Sequence, residues 1–410
     1  MEALDRVKAG LTGKSLVAAM CVGQVGNLLP HVVVPAVMPQ HLIPLWHLTA
    51  AEAGLMASTY AVGYMLAVPV LTALTDRIDA RLVLLVGSTV SGLATLAFGV
   101  VADGLLSAIV IWGLAGIGFA GAYMPGLKAL TDRLGPGESS RSVTLYTATF
   151  SVGVGLSFLV SQLAADALGW RWAFYVTSLG PLAMIVATLR MAAVKPNTAS
   201  RRLLDFKPVF RNRPALGYIF GYGAHCFELY ALRTWIVAFW SYVATHNAGN
   251  ALLDPITVSF LITVVAMPSS ILGNEAAIRF GRCFAIVGVM ILAGMLATAI
   301  AFSTAAAPAV LLALVLIYSV AIPADSGALT SGMSLSAEPD HRGATMAMHS
   351  TVGFGLSALG GWAVGVALDA GGGMETSSGW TLGFLVMGAG GLLGPIALWW
   401  ANRKMRAAST

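Results

Sequence analysis

Charge is scarce in this sequence. Asp, Glu, Lys and Arg supply only 10% of its 410 residues, whereas hydrophobic side chains supply 57%. A soluble domain carries about 25% charged residues, so composition excludes that class. Cysteine is scarce as well. Cys21, Cys226 and Cys283 have no pairing or metal-ligand spacing, which leaves free thiols as the expectation and excludes a disulfide scaffold. Three enzyme motifs are missing: a Gly-x-x-x-x-Gly-Lys-Ser/Thr phosphate loop, a His-Glu-x-x-His pair and a Cys-x-x-Cys pair. The polar segments are also too short to hold a nucleotide-binding domain. An enzyme is therefore not expected, nor is a metal or a cofactor.

What the chain has in place of charge is long apolar runs. A hydrocarbon core of about 30 Å takes about 20 apolar residues per helix. That ruler gives roughly twelve spans: 15–39, 51–74, 82–102, 106–131, 142–167, 171–192, 215–243, 255–276, 283–303, 308–334, 343–368 and 379–402. The runs are too long, too apolar and too glycine-rich for barrel strands, which alternate over about ten residues. Arg6, Lys8 and Lys14 ahead of the first run resemble a secretory leader. That run outlasts a leader's core of about 7–15 residues and carries Pro30, Pro35 and Pro39, so a retained helix is expected.

Lys and Arg in short loops set orientation. With the N-terminus inside, Arg77, Arg81, Arg133, Arg141, Arg279, Arg282 and Arg342 fall in cytoplasmic loops, as does the tail Arg403-Lys404-Met405-Arg406. The opposite loops keep only Arg171. The expectation is an inner-membrane protein with both termini cytoplasmic. Its formal charge of +5 then serves topology and anionic lipid heads, not nucleic acid.

The chain divides once. Residues 194–214 form the longest polar stretch and hold Lys195, Arg201, Arg202, Asp205, Lys207, Arg211 and Arg213. This basic connector separates six spans in 1–193 from six in 215–410. The halves echo one another about 200 residues apart. Ala129-Leu130-Thr131 answers Ala328-Leu329-Thr330, Thr144 answers Thr345, and Gly153 and Gly155 answer Gly353 and Gly355. The loops ending at Arg141 and Arg342 correspond as well. Duplicated six-span halves are the pattern of parallel repeats in secondary transporters.

Between the second and third spans the chain reads Thr72-Ala73-Leu74-Thr75-Asp76-Arg77-Ile78-Asp79-Ala80-Arg81. The loop resembles the Gly-x-Leu-x-Asp-Arg-x-Gly-Arg-Arg signature of the major facilitator superfamily, with Thr72 and Asp79 in place of its two glycines. Gly273-Asn274-Glu275-Ala276-Ala277-Ile278-Arg279-Phe280-Gly281-Arg282 and Gly169-Trp170-Arg171-Trp172-Ala173-Phe174 are similar to further stretches of that family. The resemblance covers nearly the whole chain. It implies an all-α membrane protein of about twelve helices in two pseudo-symmetric halves, working by alternating access. It also implies a conformational clasp on Asp76, with Arg77 and Arg81. The alternative is that these are solvated charges that only set topology.

Four charges interrupt the runs: Lys128, Glu228, Arg233 and Asp325. A charge in hydrocarbon costs roughly 3 kcal/mol on insertion scales, so it is rarely there without a partner, a cavity or a task. The family resemblance implies a central cavity lined by spans one, four, seven and ten, and all four charges lie on spans four, seven and ten. Span one carries a polar stripe instead, Gln24, Asn27 and His31, facing a cavity or bonding another helix.

Tyr123 and Lys128 of span four join the candidate cavity, although Lys128 is also placed to snorkel to the interface. His225 and Glu228 are three apart and share a helix face. Arg233 is about 140° round from Glu228 and suits a carboxylate, held by two parallel bonds; a structural ion pair with Asp325 is the alternative. Glu228 and Asp325 are candidate proton carriers, and Pro323 is expected to bend span ten there. His349 is expected to be a packing residue. The spacing Gly361-x-x-x-Gly365 fits close helix packing.

These residues point to a proton-coupled carrier of a small anionic organic solute, a symporter or antiporter. A drug/proton antiporter for lipophilic or cationic compounds is the alternative, and a transporter-like sensor or membrane enzyme a further one. Protons, the solute and membrane lipids are the expected partners of a monomer.

Overall fold

In a lipid slab every backbone N–H and C=O must find its partner internally. The computed structural model describes residues 11–135, 139–195, 206–247, 252–338 and 341–407, without the side chains of 139, 140 and 402–407. Arg6, Lys8, Arg201, Arg202 and Asp205 lie outside the described residues. Among these residues the chain is helical throughout, apart from an isolated bridge between Leu11 and Met191.

Ten helices are long and apolar enough to cross a membrane. They are span two (Ala50–Leu74), three (Ala80–Val101), four (Leu105–Thr131), five (Arg141–Leu168), six (Trp170–Leu189), eight (Pro255–Phe280), nine (Arg282–Ala301), ten (Pro308–Ser336), eleven (Arg342–Ala370) and twelve (Ser377–Ala401). Span one is a bent pair, Gly13–Leu28 and Val33–Trp46, with 47° between its parts. Span seven is a single helix of 34 residues, Arg213–His246. It stays outside the apolar ten because His225, Glu228 and Arg233 fall in its middle and are buried. The twelve spans form the two-half bundle that the charge pattern implies.

Span one departs from the continuous helix expected over 15–39. Pro30 cannot donate to the helix ladder and its ring crowds the preceding turn, so the helix stops at Leu28 and restarts at Val33. Span five compensates for the freed backbone. Ser157 Oγ donates to the Leu29 carbonyl at 2.6 Å and accepts from the Val32 N–H at 3.2 Å. His31 sits in the bend. Span ten breaks as expected at Pro323, where Ile322–Asp325 forms a 3₁₀ turn.

The outer surface is apolar: Leu106, Phe284 and Phe302 are each more than 70% exposed, as suits a chain solvated by lipid. Inside, the echoed glycines pack alike. Gly153 lies against Leu28 of span one, and its counterpart Gly353 against Tyr222 and Cys226 of span seven. Gly155 reaches across to Val264 and Phe260 of span eight, and Gly355 reaches across to Met65 of span two. Each half thus uses one glycine for its own core and the other for its partner half. Gly361 and Gly365 bring span eleven onto Ser58 and the Ala50 carbonyl of span two, the close backbone approach that small residues permit.

Among the described residues, four hydrogen bonds join the halves. Asp369 of span eleven accepts from the N–H groups of Ala50 and Ala51 at 2.9 and 2.8 Å, capping span two. Gln162 donates to Ser259 at 2.9 Å, and Gln40 to Ser241 at 3.5 Å.

Candidate functional site

Span seven divides the interior into two walls. Its residues Tyr230 and Arg233 turn toward the N-terminal half, where rings converge on the bend of span one. The His31 ring lies 5.1 Å from Tyr60, 5.2 Å from Phe119, 5.4 Å from Phe150 and 5.9 Å from Tyr230. Tyr123 stacks on Phe119 at 5.9 Å and meets Phe150 edge-on at 5.3 Å. The Arg233 guanidinium lies 5.4 Å from the Tyr230 ring centre and is buried, with 4% exposure. Among the described residues it makes no ion pair with any carboxylate.

Polar groups on this wall go unmet. Both ring nitrogens of His31, both amide atoms of Asn27, Gln24 Nε2 and the Tyr60 and Tyr64 hydroxyls are buried with no hydrogen-bond partner among the described residues. Gln24 Oε1 alone is engaged, accepting from Tyr146 at 2.8 Å. An unmet buried polar group costs about 1–3 kcal/mol, and native proteins keep few of them.

The other face of span seven is better bonded, although Asp325 Oδ1 and His349 Nδ1 have no hydrogen-bond partner among the described residues. Glu228 accepts from the Tyr318 hydroxyl of span ten at 2.8 Å and lies against Gly391 of span twelve. His225 Nδ1 is 2.7 Å from Asp325 Oδ1 and 3.2 Å from the Ile322 carbonyl. Hydrogen-bond geometry exists only toward the carbonyl, because Asp325 Oδ1 has no bonded partner; the carboxylate contact is electrostatic and strengthens when the ring is protonated. Tyr222 stacks on His225 at 5.6 Å and on His349 at 3.8 Å.

Arg233, His31 and Tyr123 therefore border one ring cluster, with Gln24 joined to it through Tyr146 and Asn27 on the same bent span, while His225, Glu228 and Asp325 lie on the side of span seven that meets spans ten and twelve. His225 is outside the ring cluster, and Arg233 does not pair with Asp325. Lys128 belongs to neither group. Its Nζ donates to both Asp132 oxygens at 3.1 and 3.0 Å, at the end of span four and a third exposed. The position one helical turn before an acid at the interface explains the difference. His349 packs on Tyr222 as expected and also stands 3.4 Å from the Thr330 hydroxyl.

The ionic contacts at this loop belong to a different acid. Asp76 and Arg77 are exposed and form no ion pair among the described residues. Asp79 makes such contacts instead. Both its oxygens accept from Arg133 at 2.9 Å, and it also accepts from the N–H groups of Arg81 at 3.0 Å and Val194 at 2.9 Å. Arg81 donates to the Met191 carbonyl at 2.7 Å, and Arg133 to the Ala192 carbonyl at 2.8 Å. The start of span three, the end of span four and the exit of span six are thereby tied together. Burial pushes the Asp79 carboxyl up, but the bonds from Arg133, Val194 and Arg81 outweigh it and hold it below the ordinary carboxylate value. Its position two residues before Arg81, capping a span, was the signal in the sequence.

The family model of the Major Facilitator Superfamily matches residues 20–361. Protein spinster homolog 1 of Homo sapiens is 24% identical over 254 residues, covering 58% of this chain and 48% of that protein. Protein spinster of Drosophila melanogaster is 27% identical over 231 residues, 54% of this chain and 38% of that protein. The chain thus matches about half or less of these relatives' own length. Among solved structures, a bacterial homolog of the human lysosomal transporter Spinster, inward-facing and occupied, superposes with a TM-score of 0.69 at 16% identity over 96% of both chains. The nucleoside transporter NupG gives a TM-score of 0.71 at 14% identity over 94% of this chain and 98% of that one. With the twelve-span bundle, the charged walls and a family match across most of its length, this chain belongs to the Major Facilitator Superfamily of multi-pass membrane transporters.

Proposed function

We propose that the chain is a secondary active carrier of a small organic anion across the cytoplasmic membrane, driven by protons. The halves 1–193 and 215–410 rock about a chamber formed at the His31 ring cluster, joined by the cytoplasmic connector 194–214, with both termini cytoplasmic. On that orientation the contacts at Asp369 join the halves on the periplasmic side.

The observation that carries the reading is Arg233, a buried cation with no carboxylate partner among the described residues. A buried charge left uncompensated is strongly destabilising, so an anionic guest completes the site. Glu228 and Asp325 supply the proton. Each is buried beside a group that exchanges hydrogen bonds, Tyr318 for one and His225 for the other. A drug/proton antiporter would need its acid among the rings, and Glu228 instead faces Tyr318 and Gly391.

Relatives are named for other cargo: a spinster homolog of Arabidopsis thaliana is called a probable sphingolipid transporter, and NupG carries nucleosides. A thermal-shift screen of purified protein against small carboxylates, nucleosides and sphingosine separates these possibilities. Carboxylates are expected to stabilise the protein, and Arg233→Lys to abolish the shift. Stabilisation by nucleosides or sphingosine alone, or an unchanged shift in Arg233→Lys, contradicts the proposal.

A further inference from the structure

The chamber's walls specify more than an anion. Four rings from four different spans surround His31 at centroid distances of 5.1 to 5.9 Å: Tyr60, Phe119, Phe150 and Tyr230. Aromatic pairs favour separations of 4.5–7 Å, so the box is sized for one flat ring. In the empty protein the flat ring is the imidazole of His31. Its two nitrogens have no hydrogen-bond partner among the described residues, and the residue stands in a helix break, between Leu28 and Val33, where no helical register fixes it. Nothing polar holds His31 in the box.

The Arg233 guanidinium lies 5.4 Å from the centre of the Tyr230 ring, one of these four walls. A ring lodged against Tyr230 thus brings a substituent at its edge toward the guanidinium. Unpartnered amide atoms of Gln24 and Asn27 and the Tyr60 hydroxyl complete the polar inventory, suited to a second, hydrogen-bonding substituent.

Resting on the anion reading above, we propose that the solute is a monocyclic aromatic carboxylate, whose ring takes the place of the His31 imidazole between the four rings while its carboxylate engages Arg233. A flat ring makes offset-stacked or edge contacts with all four walls. A saturated ring is thicker and offers no π-face. A cation would gain from the rings but meets the Arg233 charge.

The test needs no variant at first. Binding to the purified full chain is measured by calorimetry with benzoate, benzamide, cyclohexanecarboxylate, acetate and sphingosine. Benzoate is expected to bind at least about tenfold more tightly than each of the others. Phe150→Leu is expected to weaken benzoate about fivefold and leave acetate unchanged. If cyclohexanecarboxylate or acetate equals benzoate, the aromatic assignment is overturned while the anion reading stands. If benzamide equals benzoate, or Arg233→Lys leaves benzoate binding intact, the anion reading itself fails. Tightest binding by sphingosine, or no binding by any of the five, overturns the aromatic assignment.

Discussion

The two faces of span seven differ in one respect that organises the molecule. Toward the N-terminal half, Gln24 Nε2, both amide atoms of Asn27 and both ring nitrogens of His31 have no hydrogen-bond partner among the described residues, and Arg233 has no carboxylate partner among them. Toward spans ten and twelve, Glu228 and His225 meet Tyr318 and Ile322 at hydrogen-bond distance. A wall whose polar groups are mostly bonded within the protein supports itself. A wall of unmet groups is completed by a guest, and its polarity costs the empty protein stability. On the proposed reading, the same helix carries a site for binding and, on its back, a site that holds and releases a proton.

Substitutions on the two walls should move affinity and stability in opposite directions. The largest effect is expected from Arg233→Lys, which removes a bidentate, charge-assisted grip of about 1.5–3 kcal/mol and so weakens anion binding about 10- to 100-fold; titration calorimetry reads it. Next is Asp79→Asn, which leaves the Arg133 guanidinium, 5% exposed, without its carboxylate and costs about 2 kcal/mol or more. This control lies off both walls, so solute affinity should not change.

The pH dependence of the Asp79 contacts follows from the lowered Asp79 carboxyl. Its contribution is fully present above the unfolded value of about 3.9 and is lost as pH falls through the lower folded value. Thermal unfolding of the wild type at pH 5 should therefore keep the difference from Asp79→Asn seen at pH 7.

Asn27→Leu sharpens the comparison further. It is expected to raise the melting temperature of the empty protein, because an unmet buried amide is removed, while weakening the solute by about 1 kcal/mol. The smallest effect is expected from Tyr318→Phe on the opposite wall: about 1 kcal/mol lost in stability, with affinity unchanged and gradient-driven uptake slowed. If both substitutions shift stability in the same direction, the contrast between the walls is broken.

Much of this arrangement was legible in the residue order. Span positions followed from apolar run length, and the charge census picked out spans seven and ten because an intramembrane charge is costly enough to mark function. The three-residue spacing of His225 and Glu228 placed them on one face, but spacing on one helix does not say which neighbouring helix that face meets. Their association with Ile322, Asp325 and Tyr318 instead of Arg233 needed tertiary structure. Residue order left Lys128 open between the cavity and the interface, because a lysine near a span end looks alike whether it turns inward or back along its own helix to Asp132. Asp79 was overlooked because the family pattern has glycine there, although an acid opening a helix is a local cap signal. The length of span one was underestimated because Pro30 bends the helix without ending the span, which runs on to Trp46.

The central claim, that solute and proton occupy opposite faces of span seven, is tested most directly with Glu228→Gln in sealed vesicles loaded with a bound carboxylate. The variant fixes a neutral side chain at the proton position while leaving the Arg233 wall untouched. Solute exchange between equal pools should continue at near the wild-type rate, and accumulation driven by an imposed pH step should vanish. Accumulation at the wild-type level, or loss of exchange and binding together, would contradict the account.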